Sequence, residues 1–220
     1  MSTTKHEILL ARNASGFTAT CACGHELGAH ASLEVLAAAF DAHVRAATKP
    51  KVPKPSWADN LTTDEAGNPI ASFTEFGVVF DYCWCPPGEY RMGGTKPVKF
   101  GDGFWMQRTP VTQAQWQAIE KANPSHFKGP KRPVESVSYW DCVAFCAHLS
   151  QKRGITITLP TEEQWEYACR AGTTGDTYGP LDEIAVYNCN ETTDVGTKRP
   201  NAWGLYDTIG NVWEMTSTKV

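Results

Sequence analysis

Past Gly172 the chain runs for roughly 30 residues rich in Gly, Thr, Asn and Asp, with neither a helical period nor a strand-like alternation. A compact domain that keeps this much irregular backbone uses it, because ordered loops are where function and ion binding concentrate. Short strands and two or three helices precede it, and that mixture indicates an α+β fold.

The three helices are each announced by a capping box, in which a hydroxyl caps the first turn and a side chain three residues later reaches back. Thr112 pairs with Gln115, Ser138 with Asp141 and Thr161 with Gln164. Trp116 and Ile119 supply the first apolar face, Cys142, Phe145, Cys146 and Leu149 the second, and Trp165, Ala168 and Cys169 the third. Gly154 and Gly172 are placed to stop the second and third.

Upstream, VVFDYCWCPPG reads as a strand with Val79, Asp81, Cys83 and Cys85 on one face and Phe80, Tyr82 and Trp84 on the other, ended by Pro86 and Pro87. Residues 1–48 read as a small hairpin and helix module: GFTATCACG, a turn, then Ser32 as N-cap of a helix with Leu33, Leu36, Phe40 and Val44 along its stripe. Residues 49–72, with three prolines, lysines and turn formers, read as a linker in which Trp57 is the one obvious anchor. Residues 73–220 form the main domain.

A length of 220 residues suffices for a substantial core. A net charge of −4 with interspersed signs gives no basic face for nucleic acid, and no apolar run is long enough to span a bilayer. The N-terminus lacks a cleavable secretory pattern, so the expected location is cytoplasmic, or virion-associated if the gene belongs to a phage. Eight cysteines are too few for a disulfide-stapled scaffold and read as reduced thiols, Cys142 and Cys146 being buried small hydrophobes.

In the N-terminal module Cys21, Cys23, His25, His30 and His43 offer the soft and imidazole donors of a structural zinc site. The spacing fits in part, because the usual Cys-x2-Cys knuckle and a second helical His are missing. The other reading is a hairpin and helix packed without metal, its cysteines buried and its histidines solvated. For Cys83 and Cys85, packing outweighs a metal or redox role.

Several segments, in order, resemble the formylglycine-generating enzyme or sulfatase-modifying-factor family: PPGEYRMG at 86–93, RTPVTQAQW at 108–116, NPSHFKGPKRPVESVS at 123–138, LPTEEQWEYACRAG at 159–172 and RPNAWGLYDTIGNVWEM at 199–215. The resemblance covers roughly two-thirds of the chain, from about Phe80 onward. It implies a C-type-lectin-like fold and calcium held by oxygen ligands around Asn211 and Glu214, with a second site around Asn188 in a loop shorter than the family's. The family's paired copper-binding cysteines lie beyond the segment matching GNVWEM, so no catalytic residue is carried over, least of all to Cys142, Cys146, Cys169 or Cys189. Copper is therefore not expected.

The domain reads as C-terminally incomplete, lacking the closing strands, and a protein partner or a second copy is expected to complete it. The expected function is a non-catalytic sulfatase-modifying-factor-like scaffold for protein or ligand binding, within an assembly such as a virion. The competing reading is a truncated or split copper-dependent oxidase acting on a protein cysteine. Recruitment of nucleic acid through zinc is disfavoured, because Lys and Arg are not clustered in that module.

Overall fold

The computed structural model describes residues 8–13, 16–21, 23, 25–30, 32, 34–37, 39–40 and 52–217. These belong to two compact units, Met1–Lys51 with Glu65–Asn68 and Val52–Asp64 with Pro69–Val220.

In the N-terminal unit, β1 (Ile8–Asn13), β2 (Gly16–Cys21) and β3 (Glu26–His30) form an antiparallel sheet in chain order. The hairpin expected around GFTATCACG is therefore one strand of a three-stranded meander whose first strand is the apolar run ILLARN. Residues 34–37, 39 and 40 are helical. Ser32 caps them as expected, its Oγ accepting from Val35 N at 3.4 Å. Ala19, Leu27 and Leu36 form the small core, with Phe40 against it. Val44 lies outside the described residues.

The main unit is built on the sheet β4 (Asn60–Thr63), β5 (Pro69–Glu75), β6 (Val78–Cys85) and β9 (Phe104–Gln107), antiparallel throughout, in the order β4-β5-β6-β9. A separate hairpin pairs β7 (Gly88–Met92) with β8 (Lys96–Phe100). The linker reading of residues 49–72 needs correction, because part of that segment is sheet: β4 and the start of β5 fall inside it. Proline and turn formers masked the alternation in PIASFTE, whose pairing with β6 is tertiary. Trp57 is the anchor expected of it, meeting Phe73, Tyr82 and Trp105 edge-on at centroid distances of 6.1, 5.4 and 5.9 Å. Arg153 fixes its backbone, donating to Trp57 O at 2.9 Å and to Asp59 at 3.0 Å while lying over the Phe73 ring.

The helices are α1 (Gln113–Glu120), α2 (Tyr139–Arg153), α3 (Glu162–Arg170) and the single turn α4 (Leu181–Ile184). All three expected capping boxes form, each closed in both directions. Gly154 ends α2 in the left-handed region at φ 66°. The left-handed cap of α3 is Ala171, at φ 44°, with Gly172 following it. Lys152 and Arg153 in the last turn of α2 complement its dipole.

The sheet's two faces build two cores. Phe73, Phe80 and Tyr82 pack with Trp116 of α1 and Phe145 and Leu149 of α2. Two ring pairs stack there at 5.0 Å, Phe73 on Phe80 and Trp116 on Phe145. On the other face Ile70, Cys83 and Cys85 pack with Ala168 of α3 and Leu205. Both β6 cysteines are fully buried, and burial pushes the Cys83 thiol up to about 12 and the Cys85 thiol well above its ordinary range. They are packing residues, as their strand position implied.

Candidate functional site

From Ala171 to Ser217 the backbone has little regular structure beyond α4, and side chains hold it in place. Asn201, buried, donates to Ala168 O at 2.7 Å and Cys169 O at 3.2 Å, and accepts from Trp203 N and Leu205 N at 3.0 and 3.2 Å. Asn211 performs the same service for a neighbouring loop: Thr193 N donates to its Oδ1 at 3.0 Å, and its Nδ2 donates to Thr193 O at 3.2 Å. Asp207 and Asn211 both sit at positive φ, 55° and 61°, where a short polar side chain is tolerated. Gly210, at φ 89°, lies so close to Val186 that any Cβ would run into its carbonyl.

This segment turns two carboxylates inward. Asp207 is 1% exposed; its Oδ2 accepts from Gly196 N at 2.6 Å while its Oδ1 is buried with no partner. Burial raises its pKa, opposed by that one N–H. Glu214 is half-buried as a residue, but its carboxyl is enclosed. Burial pushes it up to about 7; the Trp165 indole eases the charge and Asp207 aggravates it. The Trp165 N–H faces that carboxyl without reaching hydrogen-bond geometry. Thr192 and Thr208 add buried hydroxyls without partners. Desolvated carboxyls, one of them with an orphaned oxygen, are the kind of oxygen donor that a hard divalent cation takes.

Of the residues expected around calcium, the structure gives Glu214 an inward carboxyl and commits both polar atoms of the Asn211 side chain to Thr193. Asn188 is exposed at φ 53°. Sequence reasoning missed Asp207. The available signal was an acid amid turn formers a few residues before GNVWE, which only the fold shows to be buried.

In the N-terminal unit, Cys21 is buried while Cys23 and His25 are exposed. The Cys23 thiol is held below its ordinary value, chiefly by hydrogen bonding with Cys21 and then with the His25 backbone. Cys21 N donates to His25 O at 2.8 Å, closing the turn. His30 is in β3, and His43 lies outside the described residues. Among the described residues no three His, Cys, Asp or Glu side chains assemble as a metal cluster.

A cavity of about 910 Å³ is lined mainly by apolar residues. Trp57, Tyr82 and Trp105 form one wall, and Phe145, Cys146 and the segment Ile155–Leu159 form another. Trp213, 99% exposed, and Met215 stand at its rim. Two backbone segments border it: the free edge of β9, and Ile155–Leu159, whose Ile157 N–H and C=O are both taken by the Ser150 hydroxyl at 2.8 and 3.0 Å. β9 is an edge strand paired to β6 alone, and Ile155–Leu159 belongs to no sheet among the described residues. Cys142 and Cys146 line the same space, and burial raises both thiols, Cys146 to about 11. No described helix is long and apolar enough to cross a membrane.

Known proteins share this architecture. A structure of Treponema denticola variable protein 1 superposes with a TM-score of 0.60 over 68% of this chain and 80% of that one, at 24% identity. The formylglycine-generating enzyme of Mus musculus is 32% identical over 163 residues, which span 56% of this chain and 42% of that protein. The Bos taurus protein named inactive C-alpha-formylglycine-generating enzyme 2 is 32% identical over 134 residues, spanning 53% of this chain and 42% of that protein. The chain thus spans about two-fifths of the length of these relatives. The family described as "Sulfatase-modifying factor enzyme 1-like domain" matches residues 78–220, across both cores, the cavity and the Asp207 to Glu214 loop, and the chain belongs to that family.

Proposed function

We propose that this domain is a non-catalytic binding scaffold whose ligand is an extended polypeptide segment, supplied by a partner or by another copy of the chain. The observation that carries the reading is the cavity of about 910 Å³ beside the free edge of β9. Unpaired strand N–H and C=O groups bind extended peptide backbone best, and an apolar slot beside them selects alternate apolar side chains. Trp213 and Met215 at the rim are the exposed apolar anchors such a ligand would cover. A relative named as an inactive member of the family, at 32% identity, is compatible with a role without catalysis.

The test is selection of peptides from a displayed random library on the purified protein, followed by titration of the winners. Binders with apolar residues at every second position, weakened at least tenfold by Trp105→Ala or Trp213→Ala, are the expected result. Binders without that alternation, or indifferent to both substitutions, would remove the reading.

Calcium held by Asp207 and Glu214, with Asn211 bracing the loop, is the proposed structural cofactor. Zinc at Cys21, Cys23 and a histidine of the same module is the corresponding proposal for the N-terminal unit. The second functional reading is a part of a copper-dependent oxidase acting on a protein cysteine, favoured by the 32% identity to a formylglycine-generating enzyme. Stoichiometric copper together with turnover of a cysteine peptide would replace the scaffold reading with this one.

A further inference from the structure

Asp81 and Arg108 are cross-strand neighbours. The β6 and β9 register pairs Tyr82 with Gln107, and Arg108 N donates to Asp81 O at 2.8 Å to continue the ladder one step further. Opposite charges so placed ordinarily close into an ion pair. Here they do not: neither side chain makes a hydrogen bond or an ion pair among the described residues, and Arg108 Nε is buried without a partner. The guanidinium instead lies over the Tyr206 ring, 5.2 Å from its centroid, and Tyr206 N donates to Arg108 O at 2.9 Å, which fixes ring and strand together.

The space between them is a pocket of about 280 Å³ lined by Asp81, Arg108, Thr109, Gln115, Gly196 and Tyr206. The Gln115 and Gly196 walls are largely committed elsewhere. Gln115 donates to Val79 O at 2.8 Å and accepts from Thr112 N at 3.0 Å and Gln107 Nε2 at 3.1 Å, and Gly196 N is committed to Asp207. The charged groups the pocket offers a guest are one carboxylate and one guanidinium lining a common space, beside the Tyr206 hydroxyl. Partial burial raises the Asp81 carboxyl while Arg108 pulls it back, so the pocket also desolvates the acid.

From this arrangement we infer a binding site for a free α-amino acid, its carboxylate on Arg108 and its ammonium on Asp81. A simple anion would leave the Asp81 charge desolvated and unpaired, and a simple amine would leave the Arg108 guanidinium without an anion. A zwitterion meets both, and the volume suits a molecule smaller than the usual drug-sized ligand. The Tyr206 side lies next to Asp207, so occupancy would also brace the loop that carries the calcium candidate.

The experiment is a thermal-shift screen of the purified full chain with the common L-amino acids, acetate, methylammonium and N-acetylated or C-amidated amino acids, followed by calorimetric titration. At least one free amino acid is expected to bind ten or more times tighter than acetate, methylammonium or its blocked derivatives. Asp81→Asn, nearly isosteric, is expected to weaken it at least tenfold with an unchanged circular dichroism spectrum, and Arg108→Gln to abolish it. Absence of binding by any amino acid, equal binding of acetate or of the blocked derivatives, or full binding by Asp81→Asn would overturn the assignment.

Discussion

Asn201 donates to the Ala168 carbonyl at 2.7 Å, so a loop side chain satisfies an acceptor that the last turn of α3 leaves open. The same amide serves four backbone groups, tying the helix end to residues 203 and 205. Asn201→Ala removes all four bonds in a buried setting and is expected to cost about 2–4 kcal/mol, since buried backbone groups lose their partners. Asn201→Asp keeps the shape but sets a carboxylate oxygen against two carbonyls, and should be at least as destabilising. Urea denaturation of both variants checks this.

The capping boxes predict a smaller and additive effect. Thr112→Ala, Ser138→Ala and Thr161→Ala should each cost about 1 kcal/mol. The three caps sit on separate helices, so the triple variant should lose the sum within about 0.5 kcal/mol. A clearly smaller loss in thermal melts would mean that tertiary packing alone holds those turns.

Glu214 gives stability a pH dependence opposite to that of most paired carboxylates. Its folded value is raised, from 4.5 to about 7, so in this window the native state binds more protons than the unfolded chain. Stability in divalent-free buffer should therefore fall as pH climbs from about 4.5 to about 7, by on the order of 3 kcal/mol. Asp59 and Asp141, held low chiefly by hydrogen bonds from Thr74 and Ser138, act below that window and lose their contribution only as pH falls further. Glu214→Gln should flatten the slope. Calcium should raise the melting temperature more at pH 7.5 than at pH 5, because it binds the ionised pair; equal shifts at both would sink the calcium assignment.

Thiol chemistry sorts the cysteines. Cys23 and Cys189 are exposed, and the Cys23 thiol is lowered, so native protein should be alkylated first at these two. Cys83 and Cys85 should stay unmodified until the protein is denatured. Peptide mass mapping after a timed iodoacetamide pulse reads this out, and early labelling of Cys85 would contradict the packing described for β6.

The helices were legible because their signals are local: Thr112, Ser138 and Thr161 with their third neighbours specify three starts without reference to the rest of the chain. β4 and β5 were not, because residues 60–75 are dominated by turn formers and become strands only by pairing onto β6. The hairpin of β7 and β8 and the edge strand β9 were missed because each strand is only four or five residues long, too short for its alternation to stand out. At the candidate site Glu214 was legible through family likeness, whereas Asp207 was not, since nothing in LYDTIG states that this acid faces inward. The openness of the Asp81 and Arg108 pair depends on where Tyr206 falls, more than a hundred residues from Asp81, and no local pattern encodes it.

The loop pins join residues far apart in sequence: Val195 to Lys131, Asn201 to Ala168, Ser217 to Pro160. Each pin requires closing a long span of chain before any contact rewards it, whereas the capped helices need only their own turns. The order of events during folding follows from this. The helices and the β5-β6 hairpin assemble early, and the segment carrying Asp207, Tyr206 and Trp213 is among the last to settle. Early in refolding the chain therefore has a formed scaffold and no formed pockets, and recovery of ligand binding should lag behind recovery of the circular dichroism signal.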